Sequence, residues 1–290
     1  MMSDQLQPLR RLAAVHDLSG LGKCSLTVAL PVVSATGVEC ACIPTAVLST
    51  HTGEFTGWTL RDLHEDMLPI ARHWASTGAA FDGVYSGYLA TPEQTQALRE
   101  IIRLLRRPQF HVIVDPAMAD NGSYYSNLDD RMCRAFRALI ADADVITPNI
   151  TEAALLADME YRHDGHDEAY LRALGERLSA LGPKTVVITG VRPKAGEIGN
   201  LAYDRDSGAI TLCSHEAHDG LFYGSGDIFA ASLSALLIRG AGVNDALRTA
   251  SDFTDLCIRR SLLRNTPRRF GLDFEGALPE YISRVEALFR

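Results

Sequence analysis

Tyr223-Gly224-Ser225-Gly226-Asp227 runs directly into the apolar stretch Ile228-Phe229-Ala230-Ala231-Ser232-Leu233-Ser234-Ala235-Leu236-Leu237-Ile238. Apolar residues recur there at helical intervals and Gly240 supplies a stop, which predicts a largely buried helix with Asp227 in its first turn. Free backbone N–H groups at such an end, flanked by glycines without side chains, attract a phosphate or another developing anion. A carboxylate beside that cradle repels a phosphate unless it acts on the group that attacks it. Asp227 is therefore a candidate general base for a phosphoryl acceptor. The alternative is that Asp227 only complements the helix dipole and the glycines only turn the chain.

Outward from this turn, strands alternate with helices. Leu12 to His16 reads as a short buried strand, followed by the loop Asp17-Leu18-Ser19-Gly20-Leu21-Gly22 and a helix from about Lys23 to Thr36. A P-loop would need Ser or Thr where Cys24 stands and Gly where Asp17 stands. A dinucleotide fingerprint would need Gly at Ser25, so both fail. The next strand, Val38 to Ile43, leads into Pro44 to Gly53, a run rich in small polar residues. A helix is predicted from about Leu60 to Thr77, a strand over Phe81 to Ser86 and a helix from Pro92 to about Arg106. The strand His111 to Val114 ends in Asp115-Pro116, and Asp120-Asn121-Gly122-Ser123 reads as loop. Then come a helix near Leu128 to Ala141, the strand Val145-Ile146-Thr147, a helix opened by Pro148-Asn149, and a helix over Glu168 to Leu181. The strand Thr185 to Thr189 ends at Gly190. Asn200 to Tyr203 and Ala209 to Cys213 look like a hairpin.

This alternation predicts a mostly parallel sheet with helices on both faces, and ligands outside the carboxyl ends of its strands. Asp17, Thr52, Tyr88, Asp115, Asn149 and Thr189 all fall at or just past such an end. With 290 residues and no linker-like segment, one domain over 1–290 is expected. No apolar run reaches bilayer length, and Met1 to Gln5 lacks an export signal, so a cytoplasmic protein with no membrane partner is expected. A net charge of -8 without a long basic run argues against nucleic acid. The six cysteines form no Cys-x-x-Cys pair and the nine histidines no His-Glu-x-x-His, so zinc chemistry is not indicated.

Asp115, Asp120 and Glu152 could converge on one rim, where hard oxygen ligands suit magnesium bridging nucleotide phosphates. Each also has a structural reading: a strand-ending turn for Asp115, turn chemistry for Asp120, and a capping box for Asn149 and Glu152. Thr189-Gly190 reads as a neutral floor for phosphate or as a strand end. Tyr88 and His51 suit a small aromatic substrate, or are a core aromatic and a loop residue. Tyr124-Tyr125 could lie over a base, and Arg103 to Arg107 reads as a solvated helix end.

Taken together in order and spacing, Gly224-Ser225-Gly226-Asp227, Asp115-Pro116-Ala117-Met118-Ala119-Asp120, Thr147-Pro148-Asn149-Ile150-Thr151-Glu152, Ser86-Gly87-Tyr88 and His51-Thr52-Gly53 resemble the ribokinase-like superfamily, and within it the vitamin B6 kinases. The resemblance covers nearly the whole chain. It implies an α/β fold, a three-layer α/β/α sandwich with a mostly parallel central sheet, and an ATP-dependent kinase acting on the hydroxymethyl group of a pyridine substrate. By matching positions, Asp227 is the base and Gly224, Ser225 and Gly226 form the anion hole. Asp17, His51, Thr52 and Tyr88 line the ring site. ATP lies across Asn149, Thr189 and Gly224, near Asp115 and Glu152, with Tyr125 in a flap. Asp115, Asp120, Thr147 and Glu152 organise Mg2+ and, as an option, K+ or Na+. A homodimer is the family habit. Ser225 stands where threonine is usual, and Ala119 where glycine is. Asp17-Leu18-Ser19-Gly20 resembles the hydroxymethylpyrimidine kinases, whereas many pyridoxal kinases carry serine at Asp17. Three rivals stay open: a hydroxymethylpyrimidine kinase; more distantly a sugar or nucleoside kinase of the same superfamily, with Tyr88 and Ser49 to Gly53 speaking against a sugar; and a non-catalytic pyridoxal phosphate binder.

Overall fold

The computed structural model describes residues 9–290. In chain order the elements are β1 (Arg11–Ser19), α1 (Leu26–Ala35), β2 (Glu39–Leu48), β3 (Leu60–Asp62), α2 (His64–Ser76), β4 (Gly83–Ser86), α3 (Pro92–Leu105), β5 (His111–Val114), β6 (Ala119–Asp120), β7 (Ser123–Tyr124) and α4 (Asp130–Leu139). There follow β8 (Val145–Ile146), α5 (Ile150–Ala157), α6 (Glu168–Ser179), β9 (Thr185–Val191), β10 (Glu197–Asp204), β11 (Ile210–Glu216), α7 (Ser225–Arg239), α8 (Val243–Arg264) and α9 (Leu278–Leu288).

Nine strands form one sheet in the order β11-β10-β9-β8-β5-β4-β1-β2-β3. The run from β9 to β2 is parallel, and antiparallel strands close both edges. The pleat sorts the core. On β1, Ala13 and Val15 pack with α2 to α6, whereas Leu12 and Ala14 pack with α1, α7, α8 and α9. Because helices cover both faces, the central strands are continuous apolar runs rather than alternating ones. The expected three-layer α/β/α sandwich is the observed one. From β1 the chain moves outward to β2 in one direction and resumes at β4 on the other side. The β1/β4 boundary is thus a topological switch point, where a crevice opens at the carboxyl ends. Among the described residues no helix is long and apolar enough to cross a membrane.

Five expectations need correction. Asp17 to Ser19, expected as loop, continues β1, and Pro44 to Leu48, expected past the strand end at Ile43, continues β2 in parallel pairing with β1. Leu60–Asp62 is not helical. It is an exposed edge strand paired with β2, and α2 begins at His64, whose amide N–H donates to Asp62 Oδ1. Asp120 to Ser123 is not plain loop but a hairpin, β6–β7, whose Asn121-Gly122 turn has positive φ at both residues. Those are the dihedrals that Asn-Gly adopts at least cost. Finally, β9 does not stop at Gly190. It bends there, at φ 69°, and continues to Val191 as its pairing with β10 shifts.

Candidate active site

Asp227 stands in the first turn of α7, as expected. Gly224 caps that helix at φ 81°, and a Cβ there would come within 2.2 Å of the Lys23 carbonyl oxygen, so both backbone angle and space require glycine. Gly226 is different. A Cβ on it would meet nothing within 4 Å, so the space over the helix end is open. The side chain of Asp227 is 18% exposed, and its Oδ1 accepts a hydrogen bond from His16 Nε2 at 3.0 Å.

His16 is a site residue that the sequence reading left as an ordinary strand end. It follows Leu12 and Ala14 on the β1 face beneath α7 and is 1% exposed. Its Nδ1 lies 2.9 Å from Asp17 Oδ1 and equally close to the Asp17 amide nitrogen. Burial works against a charge on this ring, but hydrogen bonds to Asp17 and Asp227 outweigh it and raise the pKa to about 10. Asp17, itself buried, is held below the usual carboxylate range despite its burial, mainly by His16. Its Oδ2 accepts from the Ser19 hydroxyl at 3.0 Å. Both of its oxygens therefore already serve the protein. Ser86-Gly87 supplies the opposite wall: a Cβ on Gly87 would sit 1.9 Å from His16 Nε2. The register of β1 with β2 shifts between His16 and Leu18, which lets adjacent residues share one site.

A second group lies at the ends of β5 and β8. Asp115 is buried and, through that burial and the nearby charge of Asp227, has its pKa raised to about 7. The Thr147 hydroxyl approaches Asp115 without reaching hydrogen-bond geometry, and the Thr147 and Ser86 hydroxyl oxygens are buried without a partner. Glu152 is fully engaged: Oε1 accepts from the amides of Met118 and Ala119, and Oε2 from that of Asn149. Burial, with the Asp115 charge, pushes its carboxyl well above the usual range even so. Asn149 completes the capping box and donates from Nδ2 to the Ala119 carbonyl at 2.7 Å. Thr189 pairs with Asn149 at the neighbouring strand end. Asp120 is turned to its own hairpin, accepting from the amide and side chain of Asn121. Among the described residues no three carboxylates, histidines or cysteines gather as a metal cage.

The ring-site candidates are spread over loops. His51 is buried, stacked on Tyr223 with ring centroids 4.8 Å apart, and edge-on to Phe55 at 4.9 Å. Its Nδ1 accepts from the Gly53 amide, which leaves Nε2 to donate to the Arg269 carbonyl at 2.7 Å. Thr52 is exposed beside it. The Tyr88 hydroxyl accepts from Asn127 Nδ2, tying the end of β4 to the segment after the β6–β7 flap. Tyr125 follows β7, is 36% exposed, and donates its amide N–H to the Met118 carbonyl. Tyr223 and Phe55 had no assigned role, although Tyr223 directly precedes the glycine turn.

A family model described as phosphomethylpyrimidine kinase matches residues 29–268. The chain belongs to that family. One curated relative of this phosphomethylpyrimidine kinase family member is the pyridoxine/pyridoxal/pyridoxamine kinase of Bordetella avium, 31% identical over 242 residues, or 78% of this chain and 77% of the relative. A crystal structure of a Bacteroides thetaiotaomicron protein, described as a phosphomethylpyrimidine kinase and solved with pyridoxal, superposes with TM-score 0.89 and 34% identity over 94% of this chain and 96% of that one. Pyridoxal kinase from Lactobacillus plantarum does so with TM-score 0.86 and 30% identity over 97% and 99%. The fold expected of a ribokinase-like family member is the fold these structures share.

Proposed function

We infer that this chain is an ATP-dependent kinase that phosphorylates the 5′-hydroxymethyl group of a vitamin B6 vitamer. The observation that carries the reading is Asp227 at the open end of α7, one oxygen held by His16 and the side chain still 18% exposed. The Bordetella relative's name and the pyridoxal in the Bacteroides structure support the substrate class.

In this reaction the substrate hydroxyl oxygen attacks the γ-phosphorus of ATP and a new O–P bond forms. The bond from γ-phosphorus to the β,γ-bridging oxygen breaks, and ADP departs with its electron pair. Asp227 takes the hydroxyl proton. Backbone N–H groups of Gly224 and Gly226 at the helix end face the developing charge on the transferring phosphoryl group, while the Ser225 amide, which donates to the Phe222 carbonyl at 3.2 Å, holds the turn in shape. Asn149, Thr189 and Gly224 form the nucleotide side, with Tyr125 at its flap. His51, Thr52, Tyr88 and Asp17 border the ring side.

Magnesium bound with the nucleotide would neutralise phosphate charge. Asp115 and the unpartnered Thr147 hydroxyl are hard oxygen donors that would hold it. The same donors suit K+ or Na+. Glu152 and Asp120, whose oxygens are already engaged, stand behind this set as supports for the flap. One domain, a homodimer and a cytoplasmic location complete the reading; the continuous sheet supports the first, family habit the second and composition the third.

Asp17 was the residue that favoured a pyrimidine ring. Its engagement by His16 and Ser19 supports the vitamer reading. The test is ATP consumption by the purified protein with magnesium, offered pyridoxal, pyridoxine, pyridoxamine and hydroxymethylpyrimidine in parallel. Turnover of a B6 vitamer, reduced by about 10²–10⁴-fold in Asp227→Asn, is expected. Preference for the pyrimidine moves the protein to thiamine synthesis. Tight pyridoxal phosphate binding without turnover makes it a binder.

A further inference from the structure

We propose that His16 is a positioning residue for Asp227, an imidazole clamped between the Asp17 and Asp227 carboxylates that fixes which oxygen of Asp227 meets the acceptor hydroxyl. This rests on the kinase reading given above.

Three observations converge on the clamp. Nε2 of His16 lies 3.0 Å from Asp227 Oδ1, and the acceptor there is a carboxylate, so Nε2 carries the hydrogen and donates. Nδ1 lies 2.9 Å from Asp17 Oδ1, and Asp17 is steadied in turn by Ser19. Space forbids an alternative seat for the ring: Gly87 leaves no room for even a methyl group beside Nε2, and the Tyr85 ring stands edge-on with centroids 6.0 Å away. A ring donating from Nε2 occupies Oδ1 of Asp227 and leaves Oδ2 as the oxygen for the incoming hydroxyl. A carboxylate held by one oxygen cannot swing about its last torsion, so the proton acceptor stays aimed across the crevice.

The clamp also explains two features the site needs for no other reason. Asp17 has both oxygens committed inward, and the Ser86-Gly87-Tyr88 stretch has glycine where the ring passes. The groups whose charges face His16 are Asp17, Asp227 and Asp115, with the Cys42 thiol on β2.

Asn and Gln substitutions separate positioning from simple packing. In His16→Asn the side-chain amide falls where Nδ1 was and cannot reach Asp227, whereas in His16→Gln it falls where Nε2 was and can. With the folded fraction checked by thermal melting, His16→Asn is expected to lower kcat by about 10²-fold with KM for both substrates little changed. His16→Gln is expected to recover most of that loss, and Gly87→Ala to reproduce the Asn defect by displacing the ring. Equal losses in the Asn and Gln variants, or no loss in either, overturn the proposal. A readout without turnover separates this from failure of the kinase reading. The His16 ring is titrated by NMR in histidine-labelled wild type and Asp227→Asn. A titration midpoint that falls in Asp227→Asn establishes the contact even if no vitamer is phosphorylated; an unchanged midpoint overturns it.

Discussion

At the scale of single residues, the Thr147 hydroxyl is buried with no partner, although a buried polar atom left unpaired costs about 1–3 kcal/mol. Such a cost is explained if a ligand completes the group. Thr147→Val, nearly the same shape without the hydroxyl, is expected to melt at the wild-type temperature or above it. Its KM for MgATP should rise about tenfold, worth roughly 1.4 kcal/mol. A lower melting temperature with unchanged KM would instead make Thr147 a packing residue. Asp227 and His16 differ in how visible they are. Asp227 was legible because glycines, acid and helix are contiguous, so one short window carries the chemistry. His16 was not, because its meaning arises from register. It meets Asp227 across 211 residues of sequence, and nothing near it in the chain indicates that β1 ends under α7. Glu152 shows the converse: the same capping box that fitted the sequence engages the oxygens assigned to a metal.

At the scale of elements, the start of α7 behaves as two different glycines. Gly226→Ala is expected to fold at least as well as wild type, since alanine favours a helix interior by up to about 1 kcal/mol. It should nonetheless lose phosphoryl transfer, because the methyl group enters the open cradle. Gly224→Ala meets the Lys23 carbonyl and a left-handed backbone, and should lower the melting temperature itself. Parallel melts and initial rates distinguish them; equal stability loss in both would remove the cradle. Long buried elements were legible from periodicity, with α3 and β5 near their expected bounds. The edge strand β3 was not, since three exposed residues have no apolar pattern and take their conformation from the unpaired edge of β2. The β6–β7 flap was half legible: Asn121-Gly122 announced a turn, but two-residue strands on either side are too short for alternation to register. Helices α8 and α9 lie past Gly240, where the sequence reading assigned no elements.

At the scale of the whole molecule, buried charge sets a pH profile of stability. The pKa of His16 is raised from 6.5 to about 10, so its bound proton stabilises the fold fully below 6.5, and that contribution is lost as pH rises through about 10. Asp115, raised to about 7, acts in the same sense over the lower window from 3.8. Asp17 and Asp82 act oppositely, their contribution present above the ordinary carboxylate value and lost as pH falls. The melting temperature is therefore expected to decline from pH 6.5 to about 10, and to decline less in His16→Gln. A profile identical in both proteins would separate His16 from this effect. The position of β1 in the sheet has a consequence for biosynthesis. Of the strands in this sheet it is made first, yet it occupies the middle, between β4 and β2. Its histidine has no wall until Gly87 is made and no carboxylate partner on α7 until Asp227 is. Nascent chains shorter than that should carry the first strand of the sheet without its ion pair to Asp227, and phosphotransfer activity during synthesis or refolding should appear only after α7 has closed onto β1.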